Sequence, residues 1–193
     1  MTQDLQTYKE PLLHIARASI QHGLQHGSPL SVSTNDYDDA IIQNAATFVT
    51  LHKNHELRGC IGQLQATRPL VIDVAMNAYA AAFQDPRFSP LTENEYPEIT
   101  LDISVLSQPE LITANSDKEL LAQLRVGQDG LILEKGVHRA TFLPSVWEQL
   151  PEPKDFLHYL KRKAGLEDKD VSGITYHRYH TIYLQEDARS SPA

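Results

Sequence analysis

An α+β fold with largely antiparallel strands is what this sequence predicts, and three observations predict it. Extended stretches rich in β-branched and aromatic residues come in adjacent pairs joined by short turns, as at residues 47–52 and 57–64 or 130–134 and 138–143. Amphipathic helical stretches stand apart from these pairs. No β-α-β series runs through the chain, which sets aside a parallel, doubly wound sheet.

The first element is a helix over residues 8–27, where Leu12, Ile15, Ala16, Ser19, Ile20 and Leu24 recur at helical spacing and Gly27 stops it. His22 and His26 stand four apart in it, a spacing that can serve a metal. No carboxylate or third imidazole lies near them in sequence, and Gly23 lies between, so no metal is assigned. After turn-rich residues 29–35, the acidic run Asp36-Tyr37-Asp38-Asp39 opens a short helix to about Asn44.

A β-hairpin follows. With Asn54-His55 as its two-residue tip, Val49 falls opposite Cys60 and Leu51 opposite Arg58. His52 then faces Leu57, on the side away from Cys60. Such a tip asks for positive φ at both central residues, which His55 accepts less readily than glycine. Arg68-Pro69 opens the next helix, whose small residues Ala78, Ala80, Ala81 and Ala82 permit close approach to a sheet. That helix must stop near Gln84, because Asp85 precedes Pro86, and Asp85-Pro86-Arg87-Phe88 forms a rigid corner.

Residues 99–106 alternate most cleanly: Ile99, Leu101, Ile103 and Val105 share one face, and Thr100, Asp102 and Ser104 the other, read as a solvated polar side. Pro109 closes this strand. Ser116 or Asp117 caps a helix through Leu124, two strands flank the Lys135-Gly136 turn, and further helices begin at Leu143-Pro144-Ser145-Val146-Trp147 and at Pro153, the last ended by Gly165. Residues 174–184 read as one continuous strand, on which His177 and His180 point to opposite faces. Residues 8–186 make a single domain with room for a small subdomain, and residues 1–7 and 187–193 read as flexible ends.

Bulk properties narrow the function. One cysteine excludes an internal disulfide and an all-cysteine zinc site. The absence of a long apolar run or a signal-peptide layout gives the expectation of a cytoplasmic protein with no membrane partner. A net charge of −8 without a basic stripe argues against a broad nucleic-acid footprint and favours a small ligand or a protein partner.

The chemistry concentrates in Leu57-Arg58-Gly59-Cys60-Ile61-Gly62. On an extended strand Arg58 and Cys60 share a face, and a guanidinium near a thiol favours the reactive thiolate. Gly59 and Gly62 remove side chains that would hold off a ligand or another backbone. Equally, a lone strand cysteine serves as a small buried hydrophobe. Trp147 and Phe88 read as core or helix-anchoring aromatics in preference to base-stacking ones.

Four stretches together carry a family resemblance: Phe48-Val49-Thr50-Leu51 with the Arg-Gly-Cys hexapeptide, Asp85-Pro86-Arg87-Phe88, Leu143-Pro144-Ser145-Val146-Trp147, and Lys163-Ala164-Gly165-Leu166. The sequence resembles the AMMECR family, whose prokaryotic members are called AmmeMemoRadiSam system protein A, over residues 11–186. The resemblance implies an antiparallel sheet flanked by helices, a smaller α/β subdomain and a cleft near the Arg-Gly-Cys hairpin. It also implies a pathway shared with Memo-like and radical-SAM proteins, and it names neither a reaction nor a cofactor. His55 departs from the family's usual glycine at the hairpin tip.

Two functions stand open from the sequence. In one, Arg58, Cys60, Asp85 and Arg87 converge on a cleft where the arginines grip a small anionic ligand beside Cys60, the candidate catalytic thiol, with Gly59 and Gly62 giving access. In the other, the same residues build a rigid, non-catalytic adaptor surface in which Arg58 ties down Asp85 or a C-terminal carbonyl. Nucleic-acid modification ranks third.

Overall fold

The computed structural model describes residues 5–166 and 173–186, and these fall into two compact units. The first runs to Leu106 and resumes at Ile182, and the second spans Ser107–Thr181. The fold is α+β, with two sheets and flanking helices.

In the first unit, β1 (Asn44–Lys53) is central, between β2 (Glu56–Gly62) and β4 (Ile99–Leu106), and β9 (Thr181–Gln185) follows β4. A two-residue strand, β3 (Arg68–Pro69), pairs with the start of β1. Helices α1 (Lys9–His26) and α3 (Leu70–Phe83) cover one side of this sheet, and α2 (Asp39–Ile42) is a single turn. The apolar stripe expected on α1 is the one buried: Leu12, Ile15 and Ile20 meet Val71, Val74 and Ala78 of α3 and the inward side chains Val49, Leu51, Leu101 and Ile103. Each such Val, Leu or Ile side chain contributes about 1.5–3 kcal/mol on burial. Gly27 ends α1 in the left-handed region, at φ 68°, with its N–H on the Gly23 carbonyl.

Two buried polar clamps fix this layer. Asp73 of α3, fully buried, accepts the Thr47 N–H at 3.0 Å and the Thr47 hydroxyl at 2.7 Å, and pairs with Arg68 at 2.8 Å. Arg17 of α1 donates to the Ile99 carbonyl and pairs with Glu186, whose carboxylate also accepts the Leu101 N–H. Residues 1–4 and 187–193 of the expected flexible ends lie outside the described residues.

The second unit holds a sheet in the order β5 (Glu110–Ile112), β8 (Thr175–Tyr179), β6 (Gly130–Lys135), β7 (His138–Phe142), with α4 (Asp117–Gln123) and α5 (Pro153–Lys163). Leu131, Leu133, Phe156, Leu160 and Trp147 form its core. Trp147 lies flat on Phe156, ring centroids 3.7 Å apart, and donates its indole N–H to the Asp129 carbonyl. Ser116 caps α4 by accepting the Glu119 N–H.

Several expectations are corrected. The strand expected over residues 174–184 breaks at His180, because its N–H donates to the Ser107 hydroxyl and its carbonyl accepts the Ser107 N–H, so β8 and β9 join different sheets. The helix expected from Leu143 is a 3-10 turn over Pro144–Glu148. Strand β5, just after Pro109, has only three residues and no alternation long enough to read.

Candidate functional site

The hairpin tip forms as read, with Asn54 and His55 at φ 52° and 66°. From there the register departs from expectation. His52 pairs with Leu57, but Leu51 pairs with Gly59 and Thr50 with Cys60, so Arg58 is an extra residue bulged out of β2. A bulge shifts the alternation beyond it by one. Cys60 therefore shares a face with Thr50 and, two residues along β1, with His52. The expectation that His52 lies on the opposite side from Cys60 is overturned, and the bulge is the reason.

Strand β4 completes this face, because Thr50 also pairs with Asp102. Asp102 is no solitary solvated carboxylate: its Oδ2 lies 3.1 Å from His52 Nε2, both side chains about 30% exposed. On the other side of Thr50, the hydroxyl donates to Cys60 Sγ at 3.2 Å. A thiol, a hydroxyl, an imidazole and a carboxylate thus line one half-exposed sheet face, opposite the face covered by α1 and α3. The carboxylate beside Nε2 holds the proton on that nitrogen and leaves Nδ1 able to accept one. His52 and Cys60 occupy diagonal positions on neighbouring strands, which are separated by on the order of 7 Å, so a proton passing between the ring and the sulfur needs a bridging group.

Around this face runs a rim of paired charges. Asp85, in the corner after α3, accepts the Cys60 N–H at 2.8 Å, and Arg87 grips Asp85 through two nitrogens at 2.9 and 2.6 Å and reaches the Cys60 carbonyl at 3.3 Å. Strand β2 is an edge strand, and this corner satisfies its outward backbone groups as a further strand would. The Arg87 hydrogen bonds, ahead of burial, hold the Asp85 carboxyl well below its ordinary value, and Asp85 in turn raises Arg87.

Arg58 goes elsewhere. Its Nε and Nη2 donate to the two oxygens of Glu95 at 3.1 Å, and Nη2 also to the Ser89 carbonyl at 3.0 Å. Glu95, bonded also by the backbone and hydroxyl of Thr92, is lowered to about 2, chiefly by Arg58. Arg58 is 9% exposed, and its Nη1 is buried with no hydrogen-bond partner among the described residues. The Phe88 ring lies beneath both guanidiniums, 5.8 Å from Arg58 and 5.5 Å from Arg87.

The glycines answer to backbone. A Cβ at Gly59 would stand 2.2 Å from the Ala81 carbonyl oxygen of α3, and one at Gly62 2.2 Å from the Thr47 carbonyl oxygen. The structure thus gathers Cys60, Asp85 and Arg87 around one stretch of β2 and directs Arg58 to Glu95. The sequence reading missed Glu95 and Thr50 and set His52 and Asp102 aside. A strand alignment of residues 99–106 against β1 is the signal that recovers Asp102.

Other histidines stand away from this face. His138 Nδ1 meets the Ala164 carbonyl at 2.9 Å, and His180 lies between Asp129, 3.2 Å from Nδ1, and Arg125, 2.6 Å from Nε2. His22 Nδ1 meets the Ser28 carbonyl. Among the described residues no group of three or more His, Cys, Asp or Glu is placed to hold a metal ion, and no helix is long and apolar enough to cross a membrane.

With this geometry in view, comparison with known proteins defines the class. The AMMECR1 family model matches residues 13–184, and the chain belongs to that family. Protein SSO0193 of Saccharolobus solfataricus is 38% identical over 184 residues, covering 91% of this chain and 80% of the relative. Protein MJ0810 of Methanocaldococcus jannaschii is 35% identical over 176 residues, covering 89% and 86%. Among solved structures, the uncharacterized protein PH0010 from Pyrococcus horikoshii superposes with a TM-score of 0.84 at 29% identity, over 96% of this chain and 95% of that one.

Proposed function

We propose that the half-exposed sheet face is the site where this AMMECR1-family protein handles a small anionic ligand, with Cys60 as the reacting group. The carrying observation is the bulge at Arg58, which puts Cys60, His52 and Asp102 on one face. In this reading a bound group bridges the thiol to Nδ1 of His52 and passes its proton there, Asp102 orients the ring, and the Thr50 hydroxyl stabilises the sulfur anion. Half-exposed Arg87 supplies positive field beside the sulfur, and Arg58 Nη1, a buried donor without an acceptor, takes a ligand oxygen. Gly59 and Gly62 let β2 lie against the Ala81 and Thr47 carbonyls, which sets the strand that carries Cys60 in place. The setting we infer is cytoplasmic, in a pathway with Memo-like and radical-SAM partners.

An adaptor role is favoured by a different observation: Asp85, Arg87, Glu95 and most of Arg58 are consumed by internal pairing, as a rigid docking surface requires. Thiol reactivity separates the two. Iodoacetamide at neutral pH is expected to modify Cys60 in the native protein faster than a free thiol, with the rate falling roughly tenfold in His52→Ala and its pH profile moving in Asp102→Asn. Protection of Cys60 until denaturation overturns the reactive reading and leaves the adaptor.

A further inference from the structure

The second unit carries a groove of about 840 Å³ that the reading above does not use. Helical periodicity builds it. On α5, Lys154, Leu157, His158 and Lys161 recur at i, i+3, i+4 and i+7 and so form one stripe, and Asp117, Lys118 and Leu121 of α4 face it. Its volume is that of a small-molecule site, and Leu121 and Leu157 give it apolar walls.

Its charge runs against that of the molecule. The chain carries −8, yet three lysines and a histidine line this groove against the carboxylates of Asp117 and Asp155. Lys161 is 1% exposed, and among the described residues its ammonium has one partner, Asp117 Oδ2 at 2.6 Å, which leaves two of its three N–H groups without an acceptor there. A buried ammonium is costly unless its donors are satisfied. The Tyr176 hydroxyl is also buried without a partner among the described residues, and burial, followed by the Asp117 charge, pushes it above its ordinary value. Around Asp117, among the described residues, Lys161 and Tyr176 thus keep donors that no protein group takes.

We infer that the groove between α4 and α5 binds a small organic anion, its carboxylate or phosphate oxygens toward Lys161 and its apolar body between Leu121 and Leu157. Lys118 and Lys154 draw it in by charge. The site lies within the second unit and stands or falls independently of Cys60.

Phenyl phosphate, an apolar ring carrying an anionic group, is the probe. Titrated into the isotope-labelled full chain, it is expected to shift the amide signals of Leu121, Leu157 and His158 saturably, with a dissociation constant at or below about 1 mM. The double variant Lys118→Glu, Lys154→Glu changes only flanking lysines and is expected to weaken binding roughly tenfold; Lys161→Met is expected to abolish it. Benzyl alcohol, with the ring but no anion, is expected not to saturate. Absence of saturable shifts at these amides, equal binding of benzyl alcohol, or affinity unchanged in the double variant overturns the site. Because the double variant keeps Lys161 in place, misfolding of Lys161→Met does not decide the outcome. Cys60→Ser separates this site from the other, since it leaves phenyl phosphate binding unchanged.

Discussion

The rim and the face of the β2 hairpin are built from the same kinds of residue and put to opposite use. On the rim, Asp85 with Arg87 and Glu95 with Arg58 are matched oxygen to nitrogen, with Arg58 Nη1 left over, and both carboxyls are held below their ordinary values. On the face, Cys60, Thr50, His52 and Asp102 make single contacts and stay half-exposed. Saturated pairs hold a backbone in place, whereas under-used groups keep capacity for a ligand or a proton. The rim is therefore the frame that fixes Cys60 by its backbone, and the face is where its side chain is available.

That contrast breaks most severely at Gly59. Gly59→Ala sets a methyl group against the Ala81 carbonyl, and since both contacts are backbone, neither side yields cheaply. A loss of about 2–4 kcal/mol in urea unfolding is expected, with β2 forced away from α3. A loss below about 0.5 kcal/mol would show that the helix and hairpin are free to slide.

Asp85→Ala tests the frame more gently. It leaves the Cys60 N–H without its acceptor and Arg87 without its partner, at an expected cost of about 1–3 kcal/mol in the same measurement. Unchanged stability would mean that water replaces the carboxylate on the edge strand.

The smallest effect is one of pH. Glu95 is lowered from 4.5 to about 2, so its stabilising contribution is complete above pH 4.5 and is lost as pH falls through 2. In Arg58→Met the carboxyl returns toward its ordinary value, and the advantage of the native protein over this variant is expected to shrink as pH drops across that window. Thermal unfolding at stepped pH measures it. A constant difference would dissociate Glu95 from Arg58.

Much of the frame is legible in the sequence, because it depends on local rules. Gly27 and Gly165 stop helices through positive φ, and the alternation over residues 99–103 marks the buried side of β4, although Ser104, expected on the solvated side, is buried as well. Asp85 before Pro86 ends α3, as the steric clash with proline demands. The partners of the rim were less accessible. Arg58 and Glu95 are 37 residues apart, and no local pattern distinguishes Glu95 from other acidic residues.

By itself, the sequence determined the α+β class, the family, the hairpin with its tip and the stretch that holds Cys60, since composition, periodicity and turn chemistry are properties of neighbouring residues. Only the tertiary structure decided which side chains stand beside that cysteine. One bulged residue inverts the alternation of everything beyond it, and whether Arg58 bulges is settled by the pull of Glu95 and Ser89 on its guanidinium and by the fit of Gly59 against Ala81. Those contacts are long-range, and so the histidine that sequence alone sets on the far side from the thiol shares its face.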